Sequence, residues 1–330
     1  MKLATITDLE GRERVVLVDA ARERVFDPKS AARREGKDAH LLQSMLDLID
    51  GGAEGLDFIR MLESRRGGEE DLWLGFSQVR FRAPVPVPRQ MRDGMSFALH
   101  IQQAGRGSRR LALLGDAKKL AEFDLQPLPE LPEIYRRQPF YYITNRFTVS
   151  GPEDVIAWPR YSKTIDYELE FGVFTCGTAA DIPVSRAKEH IFGFTIFNDF
   201  SARDAQMPEM QSLLGPSKGK SFDGSNALGP WIVTYDEIGD AYDLTTEVRV
   251  NGEMRSRGTT RGMLFNFEEI LAHASKDETV HAGEFFGSGT VGNGCGLEIG
   301  RFLDDGDVVQ LDVEKIGVLR NKVVTQKQGA

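Results

Sequence analysis

The chain has 330 residues, of which 41% are hydrophobic and 28% charged, enough for a sizeable core and more than one folding unit. A formal net charge of -9 argues against a nucleic-acid backbone as partner and leaves no polybasic signal for a membrane surface. Only Cys176 and Cys295 are present, far apart, so neither a disulfide framework nor a CxxC zinc site is available. With no apolar leader and no apolar run of transmembrane length, the chain reads as a cytoplasmic protein.

Residues 2–19 read as a β-hairpin, with two apolar runs flanking the turn-prone Asp8-Leu9-Glu10-Gly11. From 39 to 64 the apolar residues recur at helical spacing, interrupted at Gly51-Gly52. Strand-like alternation returns over 73–81, and the prolines of 83–88 suit an extended linker. Residues 1–85 are therefore expected to form a small α+β domain, followed by a larger domain over 86–330.

That larger domain begins with a stretch carrying Asp93 and His100. A helix over 96–103 sets His100 on one face with Ser96 and Phe97. The Gly/Arg/Ser-rich residues 105–110 read as a loop, and 126–139 as a Pro-rich connection. From residue 140 onward, short strands joined by Gly and Pro turns dominate. They are expected over 146–149, 166–175, 191–199, 229–234, 246–250, 284–287 and 308–314, with helices over 184–190 and 266–275. Asn251-Gly252 suits a type I′ turn. Residues 326–330 are expected to fray. The fold class is α+β and β-rich, a mixed roll or sandwich with a small N-terminal unit.

The stretch 165–172, I-D-Y-E-L-E-F-G, carries the chemistry most openly. On a strand, Glu168 and Glu170 point to one face. Two inward carboxylates need a cation or a shared proton, and a hard divalent metal such as Mg²⁺, Mn²⁺ or Ca²⁺ answers that need. An edge strand with a solvated acidic face answers the same pattern. Asp199, at the end of the next apolar run, either adds a carboxylate to this pocket or makes an Asx-turn, and Ser201 suits a helix N-cap. Residues 214–222, L-G-P-S-K-G-K-S-F, lack the spacing of a phosphate loop. Tyr141 and Tyr142 either line an entrance or belong to the core. Taken singly, His100 is equally a structural histidine, Glu298 an exposed carboxylate and Lys220 a solvated loop cation.

In order along the chain stand a carboxylate, E-x-E, N-D-F-S-A-R-D-A-Q at 198–206, G-P-S-K-G-K-S-F at 215–222, and a Gly-Thr turn at Gly289-Thr290. Together they resemble the fumarylacetoacetate hydrolase family over roughly 89–323. The resemblance implies a metal set of Asp93, Glu168, Glu170 and Asp199, with Mg²⁺ the expected ion and Ca²⁺ or Mn²⁺ as alternatives. It implies His100 as general base with Glu298 as its acidic partner, and Arg203, Gln206, Lys220 and Thr290 around the substrate oxygens. Met95 and Met210 stand where fumarylacetoacetate-cleaving members carry tyrosines, which implies a more apolar or differently shaped substrate. The expected activity is hydrolysis of a carbon–carbon bond in a small diketo acid during aromatic catabolism, by a homodimer. A decarboxylase, isomerase or hydratase of the same family is the alternative, and a non-catalytic metal-binding scaffold the alternative of another class.

Overall fold

The computed structural model describes residues 1–113 and 115–326; residues 327–330, most of the stretch expected to fray, lie outside them. Its largest sheet has 12 strands. The sheet runs from Trp73–Gly75 through Arg24–Phe26, Glu13–Asp19 and Lys2–Asp8 to Asn226–Thr234. It continues through Ile191–Asp199, Leu169–Thr175, Phe285–Gly287 and Met91–Gly94 to Tyr141–Ile143. The N-terminal hairpin, Lys2–Asp8 with Glu13–Asp19, forms where the sequence places it, and its first strand pairs with Asn226–Thr234. A 5-stranded sheet packs the C-terminal half, and Asn251 (φ 53°) and Gly252 (φ 81°) turn its hairpin with the two positive angles of a type I′ turn. The fold is thus α+β and β-rich.

The three central strands are buried along their whole length. Alternation splits their side chains between two cores: Phe171, Val173, Phe194 and Ile196 enter one, while Phe174 and Phe197 join Phe285 and the N-terminal residues in the other. Glu170 shares a parity with Phe174, and Asp199 with Phe197. The carboxylates therefore stand at one end of a face whose other end is aromatic core. Burial there excludes the solvated edge strand.

Several elements differ from expectation. The strand over 166–175 is broken into Ile165–Asp166 and Leu169–Thr175, because Asp166 pairs with Ser201 and Glu168 forms an isolated bridge with Cys295. Ser201 lies in the paired short strand Ser201–Ala202, its hydroxyl donating to the Asp199 carbonyl, and caps no helix. Residues 105–110 are helical, part of Ala98–Leu111. Gly107 is there for contact: a Cβ on it would lie 2.3 Å from the Leu297 carbonyl oxygen. The glycine lets this helix approach the segment carrying Glu298 and does not break it. In Met45–Arg66 the expected interruption is real, with Gly52 at φ 49°.

Candidate active site

Asp93, Glu170 and Asp199 reach one point from three strands of the large sheet. A carboxylate oxygen from each lies within 4.8 Å of the others, and all three residues are buried. Gly287 faces Asp93 in register; a Cβ there would stand 2.4 Å from Asp93 Oδ1 and 3.2 Å from Glu170 Oε2. The missing side chain makes room for the trio.

Such a cluster is costly without compensation. Burial, with the charges of Asp93 and Glu168 added, pushes Asp199 up to about 7 against the pull of Lys220. Burial and the neighbouring Asp93 lift Glu170 well above the carboxylate range, and burial also raises Asp93. Glu170 Oε2 and Asp199 Oδ1 are buried without a hydrogen-bond partner among the described residues. Unpaired oxygens on convergent, all-oxygen donors fit a hard divalent cation.

Glu168 stands beside the trio with both oxygens engaged. Arg203 Nη2 donates to Oε1 at 2.7 Å, and the Lys220 ammonium bonds Oε2 and also Asp199. Burial would raise this carboxyl, but Lys220 and Arg203 override it and hold Glu168 well below the usual range. Lys220 is likewise kept protonated: burial opposes its charge, and Asp199 and Glu168 outweigh burial. Every nitrogen of the Arg203 fork is bound to protein, Nε to Asp166 at 2.8 Å and Nη1 to Gln206 Oε1 at 2.9 Å. Thr290 Oγ1 donates to Glu170 Oε1 at 3.3 Å.

His100, in the first turn of Ala98–Leu111, meets Glu298 across 198 positions of sequence, Nδ1 to Oε1 at 3.0 Å. Glu298 Oε2 accepts the Cys295 N–H at 2.9 Å, a capping-box contact at the start of the short helix Gly296–Ile299. Its side chain is 0% exposed, so it is no surface carboxylate. A carboxylate only accepts, so Nδ1 carries the proton and Nε2 is the basic ring atom.

His100 and two of the acidic trio, Asp93 and Glu170, line one cleft of about 930 Å³, together with Glu168, Arg203, Gln206, Lys220 and Thr290. Met95 and Met210 line it too, with Ile134, Phe140 and Leu213 adding apolar surface. Two residues of the site make contacts that the sequence reading missed. Tyr142 lines the cleft beside Tyr141, as one of the two sequence readings has it, and its hydroxyl also donates to Asp199 Oδ2 at 2.7 Å. Asp166 is fully buried and accepts from Arg203. Its signal was present, since alternation sets Asp166, Glu168 and Glu170 on one face.

The model of the fumarylacetoacetate (FAA) hydrolase C-terminal domain matches residues 108–324. The human mitochondrial oxaloacetate tautomerase FAHD2A is 36% identical over 252 residues, 75% of this chain and 70% of its own. The Bacillus subtilis oxaloacetate tautomerase YisK is 28% identical over 309 residues, 91% of this chain and 93% of its own. Among solved structures, the fumarylacetoacetate hydrolase of Exiguobacterium antarcticum superposes with a TM-score of 0.70 at 27% identity, covering 99% of this chain and 100% of that one. On this match, and on its agreement with the buried carboxylates and the order of motifs around them, the chain belongs to the fumarylacetoacetate hydrolase family.

Proposed function

We propose that the protein is a divalent-cation-dependent enzyme that interconverts the enol and keto forms of a small 2-oxo acid of the oxaloacetate class. One observation carries the reading: His100, held by a buried carboxylate, lines the same cleft as Asp93 and Glu170, whose oxygens converge with that of Asp199 behind the cleft wall. The relatives from human and Bacillus subtilis, both named oxaloacetate tautomerases, support it.

Asp93, Glu170 and Asp199 would hold a divalent cation, which when bound would supply Lewis-acid polarisation to a 2-oxo acid. Mg²⁺ and Mn²⁺ both suit the all-oxygen donor set. Glu298 fixes the imidazole so that Nε2 exchanges a proton with C3 of the substrate, with C3 losing or gaining it as the enol oxygen gains or loses one. Lys220 keeps a positive charge at the cleft wall while oxygen charge develops. Met210, Phe140 and Ile134 add apolar surface to the cleft lining.

A second reading, hydrolysis of a carbon–carbon bond in an acylpyruvate, is favoured by the whole-length likeness to the Exiguobacterium hydrolase. In it the same His100 Nε2 takes its proton from water. Homodimerisation belongs to the proposal as an expectation of the family.

The test is a panel. With Mg²⁺ or Mn²⁺ present, enol-oxaloacetate and several acylpyruvates are followed by ultraviolet absorbance and their products by proton NMR. Faster ketonisation with no cleavage supports the tautomerase. Acylpyruvate cleavage moves the assignment to the hydrolase, and metal binding without either activity points to a scaffold.

A further inference from the structure

We infer that Asp166 is a positioning residue of this site, one buried carboxylate that sets Arg203 and the Glu298-bearing helix in a single arrangement and thereby aims His100. The inference deepens the enolising reading and rests on it for its kinetic readout alone.

Asp166 is neither one of the carboxylate trio nor itself part of the cleft lining, so its effect must travel through the groups it holds. Four donors converge on it. Oδ1 accepts the N–H of Gly296 at 2.7 Å and of Tyr167 at 2.9 Å. Oδ2 accepts the N–H of Leu297 at 2.9 Å and Arg203 Nε at 2.8 Å. Gly296 and Leu297 open the helix Gly296–Ile299, which bears Glu298. Arg203, fixed at Nε, sends its other nitrogens to Glu168 and Gln206.

An ionised carboxylate offers about four lone-pair positions, and all are used. An asparagine keeps one oxygen and turns an amide N–H₂ toward two of these donors. In either orientation the start of the Glu298 helix loses an acceptor, at Gly296 together with Tyr167 or at Leu297 together with Arg203. The Glu298 helix is packed on its other side by the helix of His100, so a displaced helix start moves Glu298 relative to the imidazole.

The experiment uses the full chain with Mn²⁺ bound. Asp166→Asn should lower kcat by about tenfold or more, since two buried donors are left unpaired, with KM and Mn²⁺ affinity changed by less than about threefold. In a Glu298→Gln background the same substitution should cost less than about twofold, because both act through His100. The His100 Nδ1–H resonance, assigned by its absence in His100→Gln, should shift or broaden in Asp166→Asn. This last readout needs no substrate, so it stands even where oxaloacetate proves to be the wrong compound. Losses that multiply in the double variant, or an unchanged resonance, overturn the inference. Should Asp166→Asn not fold, Asp166→Glu is read in the same way, and failure of both to fold assigns Asp166 a structural role only.

Discussion

Glu298→Gln isolates the orientation of the imidazole. Both Glu298 oxygens are occupied, one by His100 Nδ1 at 3.0 Å and one by the Cys295 N–H at 2.9 Å, and the side chain is 0% exposed. Glutamine supplies one acceptor for two donors, so one of them is stranded in the protein interior. Leaving a buried donor unsatisfied costs about 1–3 kcal/mol. At about 1.4 kcal/mol per tenfold in rate, kcat should fall roughly 5- to 150-fold. Metal affinity should hold, since Glu298 contacts none of Asp93, Glu170 and Asp199. Enol-oxaloacetate ketonisation gives kcat, and isothermal titration with Mn²⁺ gives the affinity. A folded variant with kcat within twofold of the parent would refute the orienting role.

Three further outcomes follow from the geometry. Chelating the metal should lower Tm, and by more at pH 8 than at pH 6. Asp199 has a raised pKa of about 7 in the metal-free fold, so its contribution to metal-free stability is present below its unfolded value and lost as pH rises through about 7. The cation replaces that proton, and a melting series at both pH values reads the difference. Gly107→Ala should destabilise the protein by about 1–3 kcal/mol in denaturant melts, because its Cβ would meet the Leu297 carbonyl oxygen at 2.3 Å. Met210→Tyr returns a hydroxyl to the cleft and should lower KM several-fold for a diketo acid with a polar tail relative to one with an alkyl tail.

Much of this site was legible because its signals are local. Alternation alone set Glu168 and Glu170 on one face, and the order of motifs supplied Asp93, His100, Asp199 and Lys220. What local pattern does not carry is the pairing between distant segments. Glu168 belongs to the expected metal set, yet its oxygens are engaged by Lys220 and Arg203, 52 and 35 positions away. The joining of Lys2–Asp8 to Asn226–Thr234 is of the same kind. The glycines of 105–110 misled for a related reason: composition signals a loop, while Gly107 answers a contact made from Leu297. Tyr142 was visible as an aromatic on an edge strand, but its bond to Asp199 depends on the register of that strand against Asp93.

The most direct measurement is solvent-deuterium exchange at C3 of a 2-oxo acid, followed by proton NMR in D₂O. It reads proton transfer at carbon whatever the fate of the product. Exchange should be rapid with Mg²⁺ or Mn²⁺, abolished by chelation, and lost in His100→Ala while that variant still binds the metal. Exchange that survives in His100→Ala, or its absence in the metal-loaded parent protein, would contradict enolisation at this site.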